Sequence, residues 1–145
     1  MKLVVQRVDE ARVTVDEKVV GEIKKGFMVL IGVTHDDTYE TADYLVNKLC
    51  HLRVFQDENS KMNLSIKDVD GELLIVSQFT LYADTKKGRR PSYVNALKSN
   101  EAIKLYDLFN EKLSKYLQVS TGVFGEDMEV ESINDGPVTI ILESR

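Results

Sequence analysis

The chain has a single cysteine, Cys50, in 145 residues. One thiol excludes an intramolecular disulfide framework. Histidine is nearly as scarce, with only His35 and His51, and no Cys/His group has zinc spacing. Cys50 and His51 are neighbours at a predicted helix end, so their side chains diverge and do not make a catalytic dyad. There is no Gly-x-Ser-x-Gly elbow, no P-loop and no Gly-x-Gly-x-x-Gly. No apolar run approaches membrane-spanning length. The opening stretch MKLVVQRVDEARV carries charges where a signal peptide has its apolar segment. A surplus of positive charge is missing too. The net charge is −5, whereas proteins that coat duplex nucleic acid are usually basic. The expectation is a soluble, cytoplasmic protein with no metal and no cofactor, whose nucleic acid contacts, where it has them, are local.

What is present is a globular composition. Hydrophobic residues make up 43% and charged residues 30%, with both signs mixed. That suits one domain, residues 1–145, with its own core.

Leu3 to Val8 and Ala11 to Val15 are rich in valine and read as strand. Asp16-Glu17-Lys18 reads as a turn into a strand over Val19 to Ile23. The unbroken apolar run Phe27 to Val33 suits a strand buried on both faces. Thr34-His35-Asp36-Asp37 reads as a helix start, with acids in the first turn, and Ala42, Leu45, Val46 and Leu49 follow at helical spacing. Leu52 to Phe55 reads as a short strand, Gln56 to Asp70 as a polar loop, and Glu72 to Thr80 as a strand. Ser99-Asn100-Glu101 is the expected cap of a second helix, whose apolar face is Ile103, Leu105, Leu108, Phe109, Leu113 and Leu117. Met128 to Ile133 and Val138 to Leu142 read as terminal strands joined by Asn134-Asp135-Gly136-Pro137. Two helices cannot cover both faces of so large a sheet. The expected α/β fold is therefore three-layered (α/β/β): two packed, barrel-like β-sheets with two helices on one outer face, roughly β2-(βα)2-β3.

Three stretches carry candidate chemistry. Ser77-Gln78-Phe79-Thr80 ends a buried-looking strand, and ligands of open α/β sheets bind beyond carboxyl strand ends. Its hydroxyls, amide and backbone N–H groups suit an oxyanion site; a strand end satisfying its own hydrogen bonds is the plainer alternative. Lys86-Lys87-Gly88-Arg89-Arg90 is the one basic run. It suits one or two backbone phosphates, or it is a solvated loop. Asn134-Asp135-Gly136-Pro137 is strong turn chemistry, and Gly-Pro is a peptide that adopts cis at low cost. A cis bond there would aim two neighbouring carbonyls the same way, towards an ammonium group; a tight hairpin is the simpler reading. The acid pairs Asp36-Asp37 and Asp16-Glu17 read as surface groups.

Ser77 to Asp84 (SQFTLYAD), followed by Lys87-Gly88-Arg89-Arg90-Pro91-Ser92-Tyr93, resembles the first signature of the D-aminoacyl-tRNA deacylases. Thr121-Gly122-Val123-Phe124-Gly125 and Asn134 to Thr139 (NDGPVT) resemble the second. Gln6-Arg7-Val8, Leu52 to Phe55 and Lys61-Met62-Asn63 add to the likeness, which covers essentially the whole chain. Tyr93, Ser60 and Glu126 depart from the pattern and bear on substrate preference. The resemblance implies a hydrolase that cleaves the ester of D-aminoacyl-tRNA to free D-amino acid and tRNA. It would act on glycyl-tRNA(Ala), reject L-aminoacyl-tRNA and so serve chirality proofreading in translation. It implies a homodimer in which a cis Gly136-Pro137 enters the partner's site and meets the substrate's ammonium, with Arg7 holding its orientation. Ser77, Gln78, Phe79 and Thr80 would surround the ester and the 3′-terminal adenosine. Asn134, Val138 and Thr139 join the substrate-binding set. Lys86, Lys87, Arg89 and Arg90 would hold tRNA phosphates.

Overall fold

The computed structural model describes residues 1–144. Strand β1 runs without a break over Lys2–Val15, so the two valine-rich stretches are one strand. Asp16 and Glu17 both have positive φ, 48° and 66°. A two-residue turn of that kind matches strand twist, and it returns the chain as β2 (Lys18–Ile23), with Val15 opposite Lys18. β3 (Gly26–Gly32) pairs antiparallel with the first half of β1.

Helix α1 spans Tyr39–His51. It starts later than the acids at 36 and 37 suggest. Thr38 is the N-cap and forms a reciprocal capping box with Thr41. The Asp37 side chain is buried and serves the start of the chain, pairing with the Met1 ammonium and accepting from the Thr34 N–H at 2.7 Å. The expected 52–55 strand is displaced to β4 (Phe55–Gln56). It pairs with β5 (Met62–Leu64), inside what reads as a loop. Asp57 organises that hairpin by accepting from the N–H groups of Asn59 and Lys61 and from the Asn63 amide.

β6 (Glu72–Ser77) lies parallel to β3 and ends three residues before Thr80. A 3-10 turn over Phe79–Tyr82 follows it. α2 covers Ser99–Ser114. Lys98 takes the N-cap position without a side-chain hydrogen bond, so Ser99 to Glu101 do not form the expected cap. β7 (Gln118–Thr121) runs parallel to β6. The last strand, β8 (Glu129–Glu143), pairs antiparallel along almost the whole of β1.

The expected three-layer α/β/β arrangement is found. β3 explains it, because alternate side chains enter different cores. Phe27, Val29 and Ile31 join Leu73 and Ile75 under α1 and α2, with Leu45, Leu49, Leu105 and Phe109. Met28 joins Leu74 and Val76 on the other face, against Val8, Ala11, Val13 and Ile23. The second half of β1 and β2 therefore fold over the sheet. Ser120 Oγ in β7 donates to the Glu22 carbonyl in β2 at 3.3 Å, which nearly closes the barrel.

Candidate active site

The expected turn at residues 134–137 does not reverse the chain. Gln6 pairs with Thr139 and Val8 with Asn134. Between those pairs β1 has Arg7 alone, while β8 has Asp135, Gly136, Pro137 and Val138. The segment is a bulge in one continuous strand, and bulges re-aim the chain beside active sites. The Gly136–Pro137 peptide is cis, and Gly136 has φ +129°, which a side chain would resist. Both residues are exposed.

Arg7 lies beneath the bulge and is buried. Its guanidinium donates to the Asp135 carbonyl at 3.2 Å and to the Val54 carbonyl at 2.5 Å. It also pairs with the Asp135 carboxylate at 3.1 Å. A buried cation is tolerable when its donors are satisfied in this way. The result is a rigid link from the bulge to the loop before β4.

The second stretch lies elsewhere. The Gln78 N–H donates to the Ile31 carbonyl at 2.8 Å, extending the β3–β6 ladder by one step. The chain then tightens into the 3-10 turn. Gly32 permits this, since a Cβ there would stand 3.0 Å from Leu81 Cβ and 3.1 Å from the Gln78 carbonyl oxygen. Beyond the strand ends opens a cavity of about 450 Å³. Ser77, Gln78 and Phe79 line it, with Tyr93, Tyr106 and Phe124 among its other walls. That volume falls within the range of small-molecule sites.

The aromatic walls are organised. Phe79 and Tyr93 meet edge to face at 5.0 Å. Tyr106 and Phe124 lie 5.4 Å apart. Tyr106 Oη donates to the Ile75 carbonyl at 3.1 Å, and burial pushes its phenol above the ordinary value, so it remains a donor. Burial likewise raises the Tyr82 phenol, on the 3-10 turn. Thr80 is not part of the wall. The Gln78 side-chain amide donates to Thr80 Oγ1 at 2.5 Å, and among the described residues no carboxylate or imidazole is hydrogen-bonded there.

The basic residues form an exposed loop beside this cavity. Its base is closed by two backbone hydrogen bonds between Asp84 and Ser92, at 2.8 and 2.9 Å. Among the described residues none of Lys86, Lys87, Arg89 and Arg90 has an ion-pair partner. His35 Nε2 lies 2.7 Å from the Val94 carbonyl oxygen and helps tie down the following segment.

Within one chain the bulge and the cavity stay apart. Arg7 is level with Phe27 on β3, and Ser77 with Ile31, four residues on. At about 3.3 Å per residue, and with three strand spacings from β8 to β6, the separation is roughly 20 Å.

A model of the family described as D-Tyr-tRNA(Tyr) deacylase matches residues 4–143. The chain belongs to that family. Its members are hydrolases that act on an ester bond, and two relatives bear the name D-aminoacyl-tRNA deacylase. One, from Geobacillus sp. (strain WCH70), is 55% identical over 100% of this chain and 96% of its own. The other, from Sulfurihydrogenibium sp. (strain YO3AOP1), is 57% identical over 100% of this chain and 99% of its own. A solved structure named "c-Myc DNA Unwinding Element Binding Protein" superimposes with a TM-score of 0.95 at 42% identity, over 100% of this chain and 99% of that one.

Tyr106 is the wall residue that sequence reasoning missed. The buried face of α2 is Ala102, Leu105, Tyr106, Phe109 and Leu113. Ala102 and Tyr106, four residues apart, extend the helical stripe, which marks Tyr106 as buried but does not set it apart from the core residues beside it.

Proposed function

We propose that the chain hydrolyses the ester of D-aminoacyl-tRNA, and that the cavity at Ser77, Gln78 and Phe79 receives the reacting end. The observation that carries this reading is the family match across the chain together with that apolar cavity at a strand end.

Water attacks the acyl carbon, the bond to the ribose oxygen breaks, and free D-amino acid and tRNA leave. Aminoacyl esters are already activated, so positioning and oxyanion stabilisation carry the reaction. One such donor is typically worth ~10²–10³ in rate. Thr80 is not the nucleophile. A threonine nucleophile needs an adjacent base, and its oxygen instead accepts from Gln78. Through that bond Thr80 positions the Gln78 amide, which lines the cavity, and so helps orient the ester. The tRNA's own 2′-hydroxyl assists the water. Trapping an acyl-Thr80 adduct in a single turnover would refute this.

The protein acts as a homodimer in the cytoplasm, and each site is completed by the partner's bulge. The support is geometric: the bulge is exposed and roughly 20 Å from the cavity of its own chain. β8 also offers Val130, Ile133 and Ile141 to solvent along a 15-residue strand that, among the described residues, pairs only with β1. Such edges call for a cover. The Gly136 and Pro137 carbonyls then grip the substrate ammonium, with Asn134, Val138 and Thr139 around them. With ammonium and carbonyl pinned, a D side chain points to solvent and an L side chain meets the wall. Glycyl-tRNA(Ala), with nothing to exclude, is cleaved. Lys86, Lys87, Arg89 and Arg90 hold backbone phosphates near the 3′ end.

Release of free D-tyrosine from D-tyrosyl-tRNA tests the activity. The name of the superimposed DNA-element-binding protein favours a second reading, a nucleic-acid-binding module. That reading predicts tight binding of uncharged nucleic acid and no release.

A further inference from the structure

We propose that the recess between α1 and the C-terminal end of α2 is a second phosphate site, holding the acceptor-stem backbone of the tRNA whose 3′ end occupies the Ser77–Phe79 cavity. The proposal rests on the deacylase reading. The recess has a volume of about 330 Å³, and Lys67, Lys112, Lys115, His51, Tyr116 and Asp43 are among its walls. Helix C-termini attract lysines through their partial negative charge, which accounts for Lys112 in the last turn of α2. Lys112 is also paired with Asp43. Lys67 is different. It arrives from the loop before β6, and its ammonium stands 5.3 Å from the centroid of the exposed Tyr116 ring.

Among the described residues neither Lys67 nor Lys115 has a carboxylate within ion-pair distance. Three ammonium groups face one carboxylate across the recess, an excess of two positive charges. The chain as a whole carries −5. A local surplus of that sign is not needed to hold the helices, which pack through Leu45, Leu49, Leu105 and Phe109. It suits an anion, and compact ammonium charges suit phosphate.

The position suits a nucleic acid strand. Ser99 and Ala102, at the start of α2, line the first cavity, and Lys115 caps the other end of the helix. Sixteen residues separate Ser99 from Lys115, and at 1.5 Å per residue that is about 24 Å. A duplex strand advances roughly 3 Å per phosphate, so about eight steps bridge the sites. One RNA arm can touch both.

The test compares two substrates, D-tyrosyl-tRNA and 3′-O-D-tyrosyl-adenosine, on wild type and on the double variant Lys67→Gln/Lys115→Gln. For the tRNA, KM should rise roughly five- to tenfold at low salt, and the slope of log KM against log salt should fall by about one to two. Hydrolysis of the adenosine ester should be unchanged, and Lys67→Arg/Lys115→Arg should restore the tRNA values. A variant with wild-type KM and salt slope overturns the proposal. Equal losses on both substrates overturn it too, because they mark a structural defect. If wild type cleaves neither substrate, the deacylase reading fails. The salt slope for binding uncharged tRNA then decides the recess alone: a slope unchanged by the double variant sinks it.

Discussion

Replacing Arg7 by methionine keeps the apolar stem and removes every donor beneath the bulge. Three hydrogen-bonded contacts vanish, to the carbonyls of Val54 and Asp135 and to the Asp135 carboxylate. Val54 is only 7% exposed, so its carbonyl is left without a partner in a dry place. Hydrogen bonds to a charged donor contribute about 1.5–3 kcal/mol each, and a stranded buried acceptor costs about 1–3 kcal/mol. The Asp135 side chain is 41% exposed, and water will take up much of its share. Counted once, as about 1–3 kcal/mol for the stranded Val54 carbonyl and about 1 kcal/mol for the water-accessible Asp135 contacts, the loss is about 2–4 kcal/mol of stability, or a Tm lower by roughly 5–12 °C for a chain of this size. Urea unfolding at fixed protein concentration measures the first quantity and calorimetry the second. Deacylation should fall further than the unfolded fraction explains, because the bulge loses its anchor while the cavity keeps its walls. Arg7→Lys, which reaches fewer acceptors, should fall between. A methionine variant within about 1 kcal/mol of wild type and fully active would refute the reasoning, since mutational costs at satisfied buried charges are larger than that.

Gly32→Ala should cut activity more than stability, because its new Cβ presses on Leu81 and the Gln78 carbonyl and shifts the 3-10 turn; kcat/KM beside Tm checks this. Burial holds the Cys50 thiol and the Tyr106 phenol above their ordinary values of 9.0 and 10.0. The folded state then keeps those protons while the unfolded chain releases them, so these two groups should make stability decline as pH rises through 9 and 10. Urea titrations across that range test the sign, and Cys50 should react with a thiol reagent only on unfolding. Mixing a protomer impaired at Ser77–Phe79 with one lacking the 135–138 bulge should restore about a quarter of wild-type activity, since half of the dimers are mixed and each has one intact site. No recovery from a confirmed mixed dimer would show that the bulge serves its own chain.

The layers were legible because periodicity reports burial. The Phe27–Val33 run had to be buried on both faces, and two helices could cover only one side of the sheet. The ends of elements were harder to read. Asp36 and Asp37 look like a helix start, but Asp37 is claimed by a distant partner, the Met1 ammonium, and the cap passes to Thr38. Asn134 to Pro137 has the chemistry of a reversing turn. Long pairing between β1 and β8 overrides it and turns the residues into a bulge. β4 and β5 are too short to show a period. At the site, Ser77, Gln78 and Phe79 could be placed by the change from apolar to polar sequence at a strand end. Tyr106 could not, because it lies in a helical stripe that also carries core residues.

The measurement that tests the central claim most directly is a side-by-side time course of D-tyrosyl-tRNA and L-tyrosyl-tRNA at equal concentration, with D-tyrosine ethyl ester as a third substrate. The account predicts fast release from the D-tRNA ester, release from the L-tRNA ester no faster than without protein, and little attack on the free ester. Equal rates for the two tRNA esters, or no release from either, would contradict it.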